Sequence, residues 1–473
     1  MEMSSDTKLD DWKEWHESRK SMFSFSFGSF GIELVGNAFA GLYFFFYETE
    51  LLLPGIFLLI ANTIFAIWNA VNDPLIGYAV EKPRKFWSKY GKRYPWLVTM
   101  LIPMYVCYFL LFAPPQGLGP FALFLWMVVM LVLADTFYSG FFVNWQGMFA
   151  EKYRNDDSRR KGNVYKLVLA ISSVIVGTLI PPQIYKYDVV ESYATMAAVI
   201  LVIGTIAALF VMYGGREDPA RKAQQVAEGG VQQAPFFKSL KTGLKNKAFL
   251  GYVFLYFGNK IWDLFVLGNA NYYAKWILGV PASDLTLIYA VLILGIFSAV
   301  PVFTIISKKF DFRKTAIIGG LTESALTIPF LFIQHIPSPY FYIFFFVVGF
   351  GNGAMWVMLS PILAESLDSL SIQTGRRDSG IFVGIYIFFG RLAIILFTFL
   401  MVFIHAITGF NAAAPTGAGQ QTPLAELGII ITIAVIPIIG TAVFTILFAL
   451  TYDIKDEKKQ WLEEQLRARD LHK

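Results

Sequence analysis

The sequence predicts an all-α polytopic membrane protein, with twelve transmembrane helices in two six-helix bundles. Three observations predict it. Of the 473 residues, 56% are hydrophobic and only 15% charged, whereas soluble domains sit at roughly 45–50% and about 25%. The apolar residues come in blocks of about 20, the length that crosses a bilayer. The basic residues between the blocks are concentrated in alternate loops.

Taken in order, residues 1–22 (with Trp12 and Trp15 among charges) predict an amphipathic segment at the membrane surface. No cleavable leader is expected, because the first apolar run is of full span length. The spans are placed at 23–47, 56–80, 95–114, 120–148, 165–184 and 194–214, and, after a charged linker over 215–247, at 248–274, 283–307, 315–334, 339–363, 380–405 and 427–452. The domains are thus 23–214 and 248–452, with a charged tail over 453–473. The charged ends are expected to be solvated surface. Five loops on one side hold 24 Lys and Arg, six of them in the first (Lys82, Arg84, Lys85, Lys89, Lys92 and Arg93). The other side holds two, Lys186 and Lys275. The positive-inside bias therefore places both termini in the cytoplasm. Two halves of six helices suggest the major facilitator architecture, whose halves rock about a midplane site.

Charge inside the spans is scarce and costs about 2.5–3.5 kcal/mol per residue at a lipid-exposed helix centre. Such residues should face protein or water. The second span carries Asn69, Asn72 and Asp73 at i, i+3 and i+4, one shared helix face. Pro74 and Gly77 follow, where the helix can bend or pack closely. The fourth span holds Asp135, Thr136, Tyr138 and Ser139, with helix packing or hydrogen bonding the expected role of Asp135. Lys260 and Asp263 can pair locally on the seventh. Glu323 has no obvious partner. Glu33, Asp73, Lys166 and Arg391, on the first, second, fifth and eleventh spans, border the expected cavity. There a carboxylate can bind hydroxyls, hold a cation or carry a proton. GFGNGAM (349–355) reads as a close helix-packing surface.

No enzyme is expected. His16, His335, His405 and His472 are scattered, Cys107 is the single cysteine, and no metal-ligand, GxSxG or P-loop spacing occurs. No cofactor is implied beyond Na⁺ or H⁺ as coupling ion. The net charge of +5 lies in loops and does not suggest nucleic acid. The expected partners are a small solute and the bilayer, and the expected state is a monomer.

WNAVNDPLIGYAVEK (68–82) followed by YGKRYPW (90–96) resembles the W-D-A-x-N-D-P-x-x-G…G-K-x-x-P-W hallmark of the glycoside–pentoside–hexuronide:cation symporters, the melibiose permease-like family of the major facilitator superfamily. FGSFGIE (27–33) and ILAESLDSLSIQTGRRDSGIFVGIYIFFGRLA (362–393) resemble its first-helix start and its tenth-to-eleventh-helix signature. The resemblance implies alternating-access symport of a sugar with Na⁺, H⁺ or Li⁺. It implies a cation site at Asn69, Asn72, Asp73 and Ser139, and a substrate site at Glu33, Lys166 and Arg391, where Trp145 could stack on a ring. It implies a cytoplasmic gate at Arg159, Arg160, Glu365, Asp368 and Arg377. Two positions depart from the pattern. Asn69 stands where the family has a carboxylate, which should weaken Na⁺ binding and favour proton coupling through Asp73, or no coupling. Phe142 stands where it has a sugar-binding aspartate. A glycoside, pentose or uronic acid is the leading cargo. A lysophospholipid, as in a eukaryotic branch that resembles the family, and a non-transporting membrane receptor are the alternatives.

Overall fold

In the computed structural model the described residues are 18–39, 41–81, 84–153, 156–216, 236–375 and 379–468. They form no β-strand, only one isolated bridge between Lys186 and Val189. The long helices are α1 (Arg19–Phe39), α2 (Gly55–Glu81), α3 (Tyr94–Phe112), α4 (Pro120–Lys152), α5 (Asp156–Leu179), α6 (Val190–Gly214), α7 (Lys247–Tyr272), α8 (Asp284–Lys309), α9 (Phe312–Leu326), α10 (Tyr342–Thr374), α11 (Ser379–Thr408) and α12 (Pro423–Thr451). Among the described residues, ten of these helices, extended where their turns continue, are long and apolar enough to cross a membrane. Of the other two, α7 carries Lys260 and Asp263 among its apolar residues, and α9, which carries Glu323, has only 15 residues before it passes into 3₁₀ turns. Short 3₁₀ turns at Ile328–Leu331 and Ile333–His335 continue α9. Together they make the twelve-helix major facilitator fold that the sequence predicts.

The pattern on α2 shows why the helices belong in lipid. Ile56, Ile60, Ile64, Ile67, Val71 and Leu75 recur at three- and four-residue steps, and all are exposed. Leu58, Ala61, Ala66, Asn72 and Ile76 are buried. The outward face is thus the more apolar one, the reverse of a soluble amphipathic helix. A helix satisfies its own backbone, which lipid demands.

Several helices outrun their predicted spans. α10 has 33 residues, about 50 Å at 1.5 Å per residue, against a hydrocarbon core of about 30 Å. Hydropathy marks the submerged part of a helix, not its end. The linker, read from the sequence as charged and without a span, contains a ten-residue helix, Phe236–Lys245. Asn246 then caps α7. Its side chain accepts from Phe249 N at 2.9 Å and donates to Ser369 Oγ and Gln373 Oε1 at 3.1 and 2.8 Å. The tail is not simply solvated. Its helix, Asp456–Ala468, buries Leu462 with Ala316, Phe448 and Ile454. Residues 1–17, 217–235 and 469–473, within the predicted N-terminal segment, linker and tail, lie outside the described residues.

The chain clusters into two units. One comprises Met1–Phe46 and Thr63–Gln232; the other comprises Tyr47–Asn62 and Gln233–Lys473. In the second, α8 and α10 approach backbone to backbone. A Cβ on Gly349 would lie 2.0 Å from the Leu292 carbonyl oxygen. One on Gly295 would lie 2.2 Å from that of Phe346, and one on Gly353 2.4 Å from that of Ile296. The packing role read for GFGNGAM is therefore what the backbone requires. Gly349→Val is expected to destabilise the protein by about 1–3 kcal/mol, the usual range for overpacking. Thermal melting of detergent-purified protein measures it, and an unchanged melting temperature would contradict this packing.

Candidate functional site

In the first unit, α2 and α4 meet through a polar cluster. Trp68 Nε1 donates to Thr136 Oγ1 at 3.1 Å, fixing the register of the two helices. At the next residue, Asn69 Nδ2 donates to Asp135 Oδ1 in a short contact. Asn72 Nδ2 donates to Asp135 Oδ2 at 3.0 Å and to its carbonyl oxygen at 3.1 Å. Asp135 is 5% exposed, and Asn72 and Ser139 are each 1% exposed. Ser139 lies one turn from Asp135 along α4, on the same face.

The sequence reading gave Asp135 helix packing or hydrogen bonding, and hydrogen bonding is what it does here. The geometry makes it the centre of the cluster, with both predicted asparagines bonded to it. Asn69 costs the second helix a carboxylate, and Asp135 supplies one from the fourth. A signal was present: an acid at membrane depth on the helix that also carries Ser139. The side chain of Asp73 lies outside the described residues, although its backbone belongs to α2.

Asn69 Oδ1 is buried and has no hydrogen-bond partner among the described residues. A half-turn of an amide exchanges its donor for its acceptor. The asparagines that bond Asp135 can therefore turn oxygens toward a cation beside it. Carboxylate, amide and hydroxyl oxygens are hard donors, the donor chemistry that alkali cations require.

A second group in the same unit gathers at Lys166 on α5. Its Nζ donates to Gln146 Oε1 at 3.0 Å and lies 4.8 and 5.3 Å from the ring centroids of Trp145 and Phe149. The charge of Glu33, on α1, acts on it. Asn37 Nδ2 donates to the Glu33 carbonyl oxygen at 2.7 Å. Trp145 differs from its expected role. It is 1% exposed, donates to the Phe25 carbonyl oxygen at 3.0 Å and stacks on Phe25 at 5.8 Å. It is a packed wall beneath the ammonium, not an open platform for a ring. Phe142 stacks on Tyr138 at 5.8 Å.

The second unit holds Arg391 on α11, whose charge acts on Tyr256 of α7. Lys260 Nζ pairs with Asp263 Oδ2 at 2.6 Å, as their spacing predicts. Of the expected gate residues, Glu365 accepts from Tyr452 at 2.7 Å and pairs with Lys459 of the tail at 2.9 Å. Arg159 Nε donates to the Tyr153 carbonyl oxygen at 2.8 Å. Arg160 is exposed, and Asp368 lies on α10. Arg377 lies outside the described residues.

The sequence reading missed one group. Glu48 is buried, accepts a short hydrogen bond from Tyr272 and meets His405 Nδ1 at 3.0 Å. Lys275 pairs with Glu50 at 3.7 Å, the two side chains 0% and 1% exposed. Lys275 was counted as a loop cation and His405 as a scattered histidine. Both sit where apolar runs end, and composition there does not separate a solvated residue from a buried pair.

The sequence profile of the family described as MFS/sugar transport protein matches residues 24–456. Sodium-dependent lysophosphatidylcholine symporter 1-A of Danio rerio is 22% identical over 442 residues, covering 85% of this chain and 79% of that protein. Lactose permease of Lactobacillus delbrueckii subsp. bulgaricus is 21% identical over 474 residues, covering 95% and 72%. The crystal structure of the nucleoside transporter NupG superposes with a TM-score of 0.60 at 12% identity, covering 93% of this chain and all of that one. That last likeness is one of fold.

Proposed function

The chain belongs to the MFS/sugar transport family, a family of transporters rather than enzymes, and from that premise we propose that it is a Na⁺-coupled symporter of a zwitterionic lysophospholipid, working by alternating access. It is a multi-pass membrane protein, and the loop charges favour cytoplasmic termini. The observation that carries the coupling is the Asn69–Asn72–Asp135 cluster, a carboxylate at membrane depth bonded by amides of the neighbouring helix. With Ser139 it offers a charged, oxygen-rich site for Na⁺, a site for which Asp73 also stays proposed.

Glu33 and Lys166 speak for the cargo. A zwitterionic head carries a phosphate and a quaternary ammonium, and this pair presents the complementary charges. Lys binds phosphate as a point charge, and aromatic faces attract alkylated ammonium. An isolated acid beside a phosphate would repel it, whereas an acid whose charge is met by Lys166 can hold the other pole. The sodium-dependent lysophosphatidylcholine symporters among the relatives agree with this reading. Arg391 stays proposed for the substrate, and Arg159, Arg160, Glu365, Asp368 and Arg377 for the cytoplasmic gate.

A glycoside is the second reading, because lactose permease is also similar and Glu33 can accept from sugar hydroxyls. Uptake of labelled lysophosphatidylcholine and of labelled lactose into proteoliposomes, with and without an inward Na⁺ gradient, separates the two. Na⁺-driven accumulation of the lysolipid is expected. Lys166→Gln is expected to lower it by about tenfold or more, since a hydrogen bond to a charged group contributes about 1.5–3 kcal/mol. Accumulation of lactose alone would replace the first reading with the second, and flux indifferent to Na⁺ would end the coupling.

A further inference from the structure

Outside the sites above, one buried acid has no assigned work. Glu323 on α9 is 0% exposed. Its Oε1 accepts from Asn352 Nδ2 of α10 at 2.8 Å and from Asn259 Nδ2 of α7 at 3.3 Å. Its Oε2 has no hydrogen-bond partner among the described residues, and neither has Asn259 Oδ1. Asn259 too is 0% exposed. Two bare acceptors on neighbouring side chains in a dry interior are an expensive combination. They need a hydrogen, since acceptors cannot satisfy each other.

We propose that Glu323 is a proton-binding site of the C-terminal unit, and that the proton it exchanges is a second coupling ion beside the Na⁺ assigned to α2 and α4. A proton on Oε2 turns one bare acceptor into a donor, and Asn259 Oδ1 is an acceptor on the adjoining residue. Asn259 and Asn352 hold the other oxygen in either protonation state, so loading requires no rearrangement of the helices.

The partly exposed groups nearest in the same network mark the side from which water can come. Asn352 Nδ2 also reaches Asp263 Oδ1 at 3.5 Å. Asp263 pairs with Lys260, and these side chains are 23% and 34% exposed. Asn352 donates to both carboxylates and does not itself carry the proton. Release moves one proton from Glu323 Oε2 to a water entering from the side of the partly exposed Lys260–Asp263 pair, and no other bond changes. Lys260 is then the nearest ammonium for the new charge. The groups around Glu323 can be named element by element. α7 brings Lys260 and Asp263 with the neutral Asn259, and α10 brings Asn352. The one charged residue of α12 is Glu426 near its start, α8 has charges only at its ends (Asp284, Lys308 and Lys309), and α9 itself has Arg313 and Lys314 at its own start.

Proton occupancy stands independently of cargo, whereas coupling rests on the cation-driven reading above. The test is infrared difference spectroscopy of the purified full chain across pH, joined to uptake of lysophosphatidylcholine at several external pH values. The wild-type protein is expected to show a protonated-carboxyl C=O band near neutral pH that is missing in Glu323→Gln. Its uptake is expected to vary with pH, and that of the variant to lose the dependence. Glu323→Asp keeps an acid in place and should shift the band without removing it, which guards against a variant that fails to fold. No such band in the wild type, or a band untouched by Glu323→Gln, overturns the proton site. A lost band with an unchanged pH profile overturns the coupling. If Na⁺ drives neither lysolipid nor lactose, the function proposed above fails, while the band still decides Glu323.

Discussion

Asp135→Asn is expected to abolish Na⁺ stimulation of uptake, or to raise the half-maximal Na⁺ concentration by roughly 10–100-fold, the usual loss when a group that fixes metal ligands is removed. The substitution is nearly isosteric, so the helices keep their shape while the cluster loses its charge. It also strikes the hydrogen bonds. Asn69 and Asn72 both donate to the carboxylate, and an amide offers one oxygen where two are used. One buried N–H left without an acceptor costs about 1–3 kcal/mol, so a lower melting temperature should accompany the kinetic loss. The exchange Asn69→Asp with Asp135→Asn returns the carboxylate to the second helix and is expected to recover much of the Na⁺ response. Reconstituted uptake against Na⁺ concentration measures all of these. A wild-type Na⁺ curve in Asp135→Asn would show that the coupling ion binds elsewhere.

The second large effect concerns Lys275 and Glu50. Their side chains are 0% and 1% exposed and 3.7 Å apart. Lys275 also lies 4.6 Å from the Trp276 ring. Trp276 in turn donates to the Pro415 carbonyl oxygen at 3.2 Å, and Gly417 N to that of Lys275 at 3.1 Å. The ion pair therefore sits beneath the loop before α12. Breaking a buried pair from one side strands a charge, at about 3–5 kcal/mol. Glu50→Gln alone is expected to reach that range by thermal melting in detergent. The double variant Glu50→Gln with Lys275→Met should melt well above either single variant, because removing both charges is often close to neutral. Equal melting of the single variants and the wild type would mean that water reaches the pair.

These two clusters mark what was legible in the sequence. The apolar stripe of α2 and the shared face of Asn69, Asn72 and Asp73 follow from helical periodicity, which is local. So does the Lys260–Asp263 pair, one turn apart. Asp135 did not follow, because periodicity says which residues share a face and not which helix lies opposite. The hallmark stretch announced a cation site on the second helix, and the missing carboxylate at Asn69 was visible. Its replacement sits 66 residues away, across a crossing that only tertiary packing defines. Glu48 and His405 are 357 residues apart, and nothing local links them. Trp145 was misjudged for a related reason. Indoles favour both binding sites and packed interiors, and only the Phe25 carbonyl beneath its N–H separates the two.

The contact between α8 and α10 bears on how the molecule moves. Where glycine backbones touch, no side chain can change rotamer to absorb a shear, so the pair has almost no compliance and behaves as a single strut. Any displacement at one end reaches the other undiminished. The bending that substrate release demands must then fall on helices held by longer, softer side chains, and the strut sets the fulcrum against which they bend.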